Sequence, residues 1–228
     1  MLLKKTTEPL VVLIEQNPWL MVIGSDSPTF ALYNNGLLVY LDKEHKEYRS
    51  VSLKSEELDD FIKFLADDKD LYNLENSYNL SEWTDQPTNI LFVRHNNRVR
   101  KINIYGNLNN KDVRTKAPKA FLTIFDRIIA YKSESAKTWL PEKIEIMIWP
   151  YEYAPEGALQ WPKNWPDIND SNTKKRRETY SIFLDSSLLK ELKIFMSKLK
   201  QEQAVLINGK KWAISYRYPF PSESEWMR

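Results

Sequence analysis

The sequence predicts an α+β fold of antiparallel sheets with helices packed on one face. Three observations lead there: hairpin signals built on asparagine and glycine, three segments with helical periodicity, and a strand-helix-hairpin order that occurs twice, marking pseudo-repeated units.

Taken along the chain, the apolar run Leu10 to Ile14 reads as a first strand. Lys4 and Lys5 precede it, but Glu15, Gln16 and Asn17 cut it short of a signal-peptide apolar core. Phe30 to Tyr33 and Leu37 to Tyr40 then flank Asn34-Asn35-Gly36, whose Asn-Gly pair supplies the positive φ angles of a tight hairpin. Tyr48 to Leu53 forms the next strand. A helix over 55–66 follows from Leu58, Phe61, Ile62 and Leu65, with Ser55 as its N-cap and Glu56 and Glu57 at its positive end.

A second hairpin, 88–105, joins Ile90–Val93 to Val99–Tyr105 across His95-Asn96-Asn97, and Pro118 opens a helix over 118–132 that presents Phe121, Phe125 and Ile128. In the C-terminal part, Tyr180 to Leu184 reads as a strand and 186–199 as a helix behind Asp185 and Ser186. Ala204–Ile207 and Trp212–Tyr218 pair across Asn208-Gly209, the last strand alternating aromatic with small or polar residues. These elements divide into an N-terminal α+β unit, 1–134, and a C-terminal β-α-β-β unit, 135–228, which contains a Trp/Pro-rich loop at 149–178.

Composition restricts the function classes. The chain has 228 residues, 42% hydrophobic and 28% charged, enough for a substantial core. It has no cysteine, so disulfides, thiolate metal sites and cysteine nucleophiles are excluded, and a cytoplasmic address is expected. No apolar run is long enough to span a bilayer, so no membrane partner is expected. The 33 basic and 31 acidic residues leave a net charge of +2, without the global basic field typical of nucleic-acid binders.

Catalytic equipment is sparse. Only His45 and His95 are present, both in polar turns, and neither a phosphate-cradling glycine loop nor a paired-histidine metal motif occurs. No cofactor is expected, and the chain reads as a non-enzyme. The alternative is a small-molecule-binding protein or hydrolase using Asp26 and Asp85, which sit in two Asp-x-Pro-Thr segments, Asp26 to Thr29 and Asp85 to Thr88. An Asx-turn ahead of an extended proline explains the same segments without chemistry.

The stretch from Trp149 to Glu178 is the least ordinary. Trp149-Pro150-Tyr151, Tyr153, Trp161-Pro162 and Trp165-Pro166 precede Lys174-Lys175-Arg176-Arg177. Either the tryptophans pack down over a sheet, or Trp161, Trp165, Lys174, Lys175, Arg176 and Arg177 form a contact surface for another protein. A second basic group, Arg94, Arg98, Arg100 and Lys101 at the central hairpin, offers a further alternative, nucleic-acid binding, against which stands the role of charged tips in blocking edge-to-edge pairing.

Pro28-Thr29-Phe30-Ala31-Leu32-Tyr33 with Gly36, Thr84-Asp85-Gln86-Pro87-Thr88, the Trp161-Pro162 and Trp165-Pro166 pair, and Arg217-Tyr218-Pro219-Phe220-Pro221 resemble landmarks of uncharacterised bacterial proteins. That resemblance implies no activity. In general character the chain is similar to bacterial immunity proteins, which bind and neutralise a cognate toxin. The expected function is therefore protein binding, with a toxin domain as the most specific partner.

Overall fold

The computed structural model of the protein describes residues 7–67, 69–96, 98–155 and 157–227; Lys4, Lys5 and Asn97, named above, lie outside them. The chain divides into two compact units, and the division is discontinuous.

The first unit runs through Pro18, resumes over Pro28–Trp139 and ends with the segment from Phe220 onward. Its strands are β1 (Pro9–Gln16), β2 (Phe30–Tyr33), β3 (Leu37–Asp42), β4 (Glu47–Ser52), β5 (Ser77–Asn79), β6 (Thr88–His95), β7 (Arg98–Tyr105) and β8 (Lys137–Thr138). They form one sheet in the order β5-β7-β6-β1-β2-β3-β4-β8, antiparallel except for the β5–β7 pair. The expected boundary at 134/135 moves to between Trp139 and Leu140, because β8 adds to the edge of this sheet beside β4.

Helices α1 (Ser55–Asp67), α2 (Lys111–Lys116) and α3 (Lys119–Ile129) belong to the same unit. Phe61 and Leu65 of α1 and Phe121, Ile124, Phe125 and Ile128 of α3 join Val11, Leu13, Phe30, Leu32, Leu91 and Ile102 in one buried cluster. Period-2 positions on the strands and i, i+3, i+4 positions on the helices thus meet on one sheet face. On other strand positions, Tyr33 packs near Trp226 with ring centroids 6.5 Å apart, while Tyr48, Trp139 and Phe220 form a mutual aromatic group.

The second unit combines Trp19–Ser27 with Leu140–Pro219. It contains β9 (Lys143–Pro150), β10 (Leu159–Gln160), β11 (Lys174–Arg176), β12 (Thr179–Asp185), α4 (Leu189–Ser197), β13 (Val205–Ile207) and β14 (Lys210–Arg217), with a 3-10 turn at Ser186–Leu188 leading into α4. The sheet order is β10-β13-β14-β9-β12-β11, antiparallel apart from β10–β13. Its core consists of Ile144, Ile146 and Ile148 from β9, Ile182 and Leu184 from β12, Leu192 and Phe195 from α4, and residues of β13 and β14. The segment 19–27 is held in this unit by Ser27, whose hydroxyl accepts the Tyr218 N–H at 2.7 Å.

Strand, helix and hairpin do follow one another in both units, on mostly antiparallel sheets, but the units are not topological copies. Only β9 separates β12 from the hairpin β13–β14, whose second strand is the inner one. Three strands, β1 to β3, separate β4 from the hairpin β6–β7, whose first strand is the inner one. Adjacency in a sheet is set by non-local pairing, so equal element order does not impose equal position.

Candidate functional site: the basic edge of the second sheet

The site begins with a mismatch of strand lengths. β12 pairs with β9 from Tyr180↔Ile148 to Asp185↔Lys143, whereas β11 covers only its first part, through Lys174↔Ser181, Lys175↔Tyr180 and Arg176↔Thr179. Arg177 closes the β11–β12 turn with a φ of +57°, and the Thr179 hydroxyl donates to the Arg176 carbonyl at 2.7 Å. The outer edge of the sheet is therefore a short, wholly exposed strand of cations.

Alternation along β11 sends Lys174 and Arg176 to one face and Lys175 to the other. Lys174 Nζ lies 5.2 Å from the centre of the Phe183 ring and Lys175 Nζ 5.5 Å from that of Tyr180. Among the described residues, none of Lys174, Lys175, Arg176 and Arg177 makes a salt bridge to a carboxylate. The Arg176 charge also helps to hold the Glu145 carboxyl down.

The chain ahead of β11 is fixed by its tryptophans. Trp161 and Trp165 are only 4% and 8% exposed; their rings lie 5.1 Å apart, and both pack on Phe195 of α4. Trp161 Nε1 also donates to the Pro166 carbonyl at 3.0 Å. The two rings expected as contact anchors are thus core residues, and this corrects their placement on a partner surface: they anchor the loop rather than meet solvent. The exposed aromatic of the stretch is Tyr153, at 98%.

After Pro166 the loop is shaped by short polar contacts. Asp167 Oδ1 accepts the Asn169 N–H at 2.7 Å, the Thr173 hydroxyl donates to the Asp167 carbonyl at 2.7 Å, and Asn208 reaches Asp167 Oδ2 at 3.0 Å. Asp170 Oδ1 accepts both the backbone N–H and the side-chain amide of Asn172. These Asx contacts hold the loop without strand pairing.

Where β11 stops, a cleft of about 390 Å³ opens. Pro166, Phe183, Leu184 and Leu188 give it apolar walls, and Lys143 and Lys174 stand at its rim. Lys143 is engaged by Asp185 at 3.2 Å. The Asp185 carboxyl accepts from the Ser187 hydroxyl at 2.7 Å and from the Ser187 N–H at 3.0 Å; together with Lys143, these bonds hold its pKa down to about 2. Lys174 is the cation at the rim without a salt bridge.

Across β9, the same unit contains a buried ion pair that the sequence did not reveal. Arg217 Nε donates to Glu145 Oε2 at 2.8 Å, with the side chains 4% and 7% exposed, and Arg217 also approaches the Asp26 carbonyl at 3.4 Å. Burial pushes the Glu145 pKa up, but the Arg217 charge and hydrogen bonds from Ser181 and Arg217 outweigh it and hold the carboxyl below its usual range.

The remaining candidates are distributed elsewhere. Asp26 belongs to the second unit and Asp85 to the first, where Asp85 adopts a φ of +57° and accepts from the Thr84 hydroxyl at 3.3 Å. His95 ends β6. His45 sits in the β3–β4 turn with Nδ1 2.8 Å from Asp42 Oδ2, and Asp42, Glu44 and His45 bring ligand-type atoms within 4.8 Å of one another. Asp42 Oδ1 also accepts the Glu44 and His45 N–H groups, so turn closure accounts for this cluster. At the central hairpin, Arg94 is paired with Glu225 at 2.6 Å, which neutralises one cation of the surface proposed to track nucleic acid, and Arg100 donates to the Leu74 carbonyl.

No protein-family model, curated protein or solved structure matches this chain. Among the described residues, no helix is long and apolar enough to cross a membrane.

Proposed function

We propose that the protein is a non-enzymatic protein-binding module whose contact surface is the basic edge strand β11 and its turn residue Arg177. The observation that carries this reading is the run Lys174 to Arg177, four adjacent cations on an exposed sheet edge with no salt bridge among the described residues. A like-charged edge strand resists pairing with copies of itself and favours an acidic partner. Trp161 and Trp165 act on stability instead, as core residues that anchor the loop before β11.

In its most specific form the reading is an immunity protein, with an acidic toxin domain as the partner in the cytoplasm. The general similarity to such proteins, the cysteine-free composition and the charged edge support it. The test is capture from nuclease-treated extract of the native host with the wild-type chain and with Lys175→Glu/Arg176→Glu/Arg177→Glu. One protein retained by the wild type and lost from an equally stable variant is expected; its toxicity when expressed alone, relieved by co-expression of this chain, establishes the narrower reading. Equal recovery with both chains, or retention of nucleic acid alone, contradicts the proposal.

A further inference from the structure

We infer that the cleft beside β11 receives an extended acidic peptide segment of the partner, which continues the line of β11 along the uncovered part of β12; this rests on the proposed protein-binding role. The first support is the backbone. Ser186 N–H donates to the Glu142 carbonyl at 3.2 Å, continuing the β9–β12 register. In an antiparallel ladder alternate residues bond to alternate sides, so Ile182 and Leu184 face β9, whereas Ser181 and Phe183 turn their N–H and C=O groups toward the outer edge. Ser181 meets Lys174 there, but Phe183 has no strand opposite it.

The residue that would continue β11 opposite Phe183 is Asn172, and the Asp170 carboxylate accepts its N–H at 2.9 Å. The loop has turned away from the sheet, leaving the cleft over an open stretch of edge. Its volume of about 390 Å³ lies within the usual range of ligand pockets. Edge pairing supplies main-chain affinity, and pockets for alternate side chains supply specificity.

Side-chain chemistry selects the peptide. Phe183, Leu184, Leu188 and Pro166 offer an apolar wall, and Lys174, 5.2 Å above the Phe183 ring and without a salt bridge, offers a charge. Asp185 is paired with Lys143, and Asp170 keeps its charge while accepting from the Asn172 amides, but the adjoining Lys175, Arg176 and Arg177 leave this edge net positive. A segment alternating apolar with acidic residues therefore matches the cleft.

The probe is an acetylated, amidated hexapeptide alternating glutamate and valine, titrated into the full-length protein by calorimetry and followed at the Phe183 amide by NMR. Saturable binding is expected, with protection of the Phe183 N–H from exchange, and a loss of about tenfold or more both in Lys174→Glu and with a peptide N-methylated on its pairing edge. Absence of binding, indifference to N-methylation, or equally tight binding of free glutamate would each overturn the inference, the last by assigning the cleft to a small carboxylate. If the peptide fails while capture of the protein partner still depends on Lys175, Arg176 and Arg177, the peptide site alone falls; if that dependence also fails, so does the proposed function.

Discussion

Glu145 and Arg217 are direct cross-strand partners on β9 and β14, and their buried side chains form an ion pair at 2.8 Å. Removing one member strands a charge away from water, so Glu145→Ala should lower unfolding stability by about 3–5 kcal/mol. Replacing both by apolar residues of similar size should cost much less. Urea unfolding of the single and double variants measures the difference.

The same pair sets a pH dependence. The folded-state pKa of Glu145 is depressed, so its contribution is present above the unfolded value of about 4.3 and is lost as pH falls through the folded value. Stability should decline on acidification less steeply in Glu145→Gln than in the wild type. Parallel slopes would show that the pair is not linked to protons in this way.

His45 should titrate above its ordinary value of about 6.5, because the Asp42 carboxylate bonds to Nδ1 and favours the charged ring. A group raised on folding stabilises below its unfolded pKa and loses that contribution as pH rises through the folded one. NMR titration should give a pKa that falls back in Asp42→Asn. Both residues are at an exposed turn, so the effect on overall stability should be small.

Trp161→Ala and Trp165→Ala should each cost about 3–5 kcal/mol of stability, as for buried aromatics in general. Partner affinity, corrected for the folded fraction, should change little. A variant that melts normally but fails to bind would return these rings to the interface.

Which parts of this architecture were legible depends on how local their causes are. The β2–β3 hairpin followed from Asn35-Gly36, and Gly36 adopts a φ of +83° with an added Cβ placed 2.8 Å from the Leu53 carbonyl oxygen, so no larger side chain fits without displacement. At the β13–β14 turn both Asn208 and Gly209 take positive φ, whereas at the β2–β3 turn Gly36 does and Asn35 does not. The helices followed from their apolar spacing, although α3 stops at Ile129 and the expected 186–199 helix splits into a 3-10 turn and α4.

β9 carries the alternating Ile144, Ile146 and Ile148, a short apolar period beside the Trp-Pro stretch that does not by itself mark the centre of the second sheet. Strand order and the Glu145–Arg217 pair, 72 residues apart, depend on tertiary pairing that no local pattern encodes. In the candidate site, the basic run was legible from composition. Burial of Trp161 and Trp165 depends on packing against Phe195, and the cleft arises from a loop turning away at Asn172, which spacing does not reveal.

If the proposed function holds, charge on β11 and Arg177 carries the partner. With the captured protein purified, the association rate should be measured at low and at physiological ionic strength for the wild type and for Lys175→Glu/Arg176→Glu/Arg177→Glu. The rate should be at least about tenfold lower in the variant at low salt, with a flatter salt dependence and unchanged melting. Equal rates and equal salt slopes in two equally stable chains would contradict it.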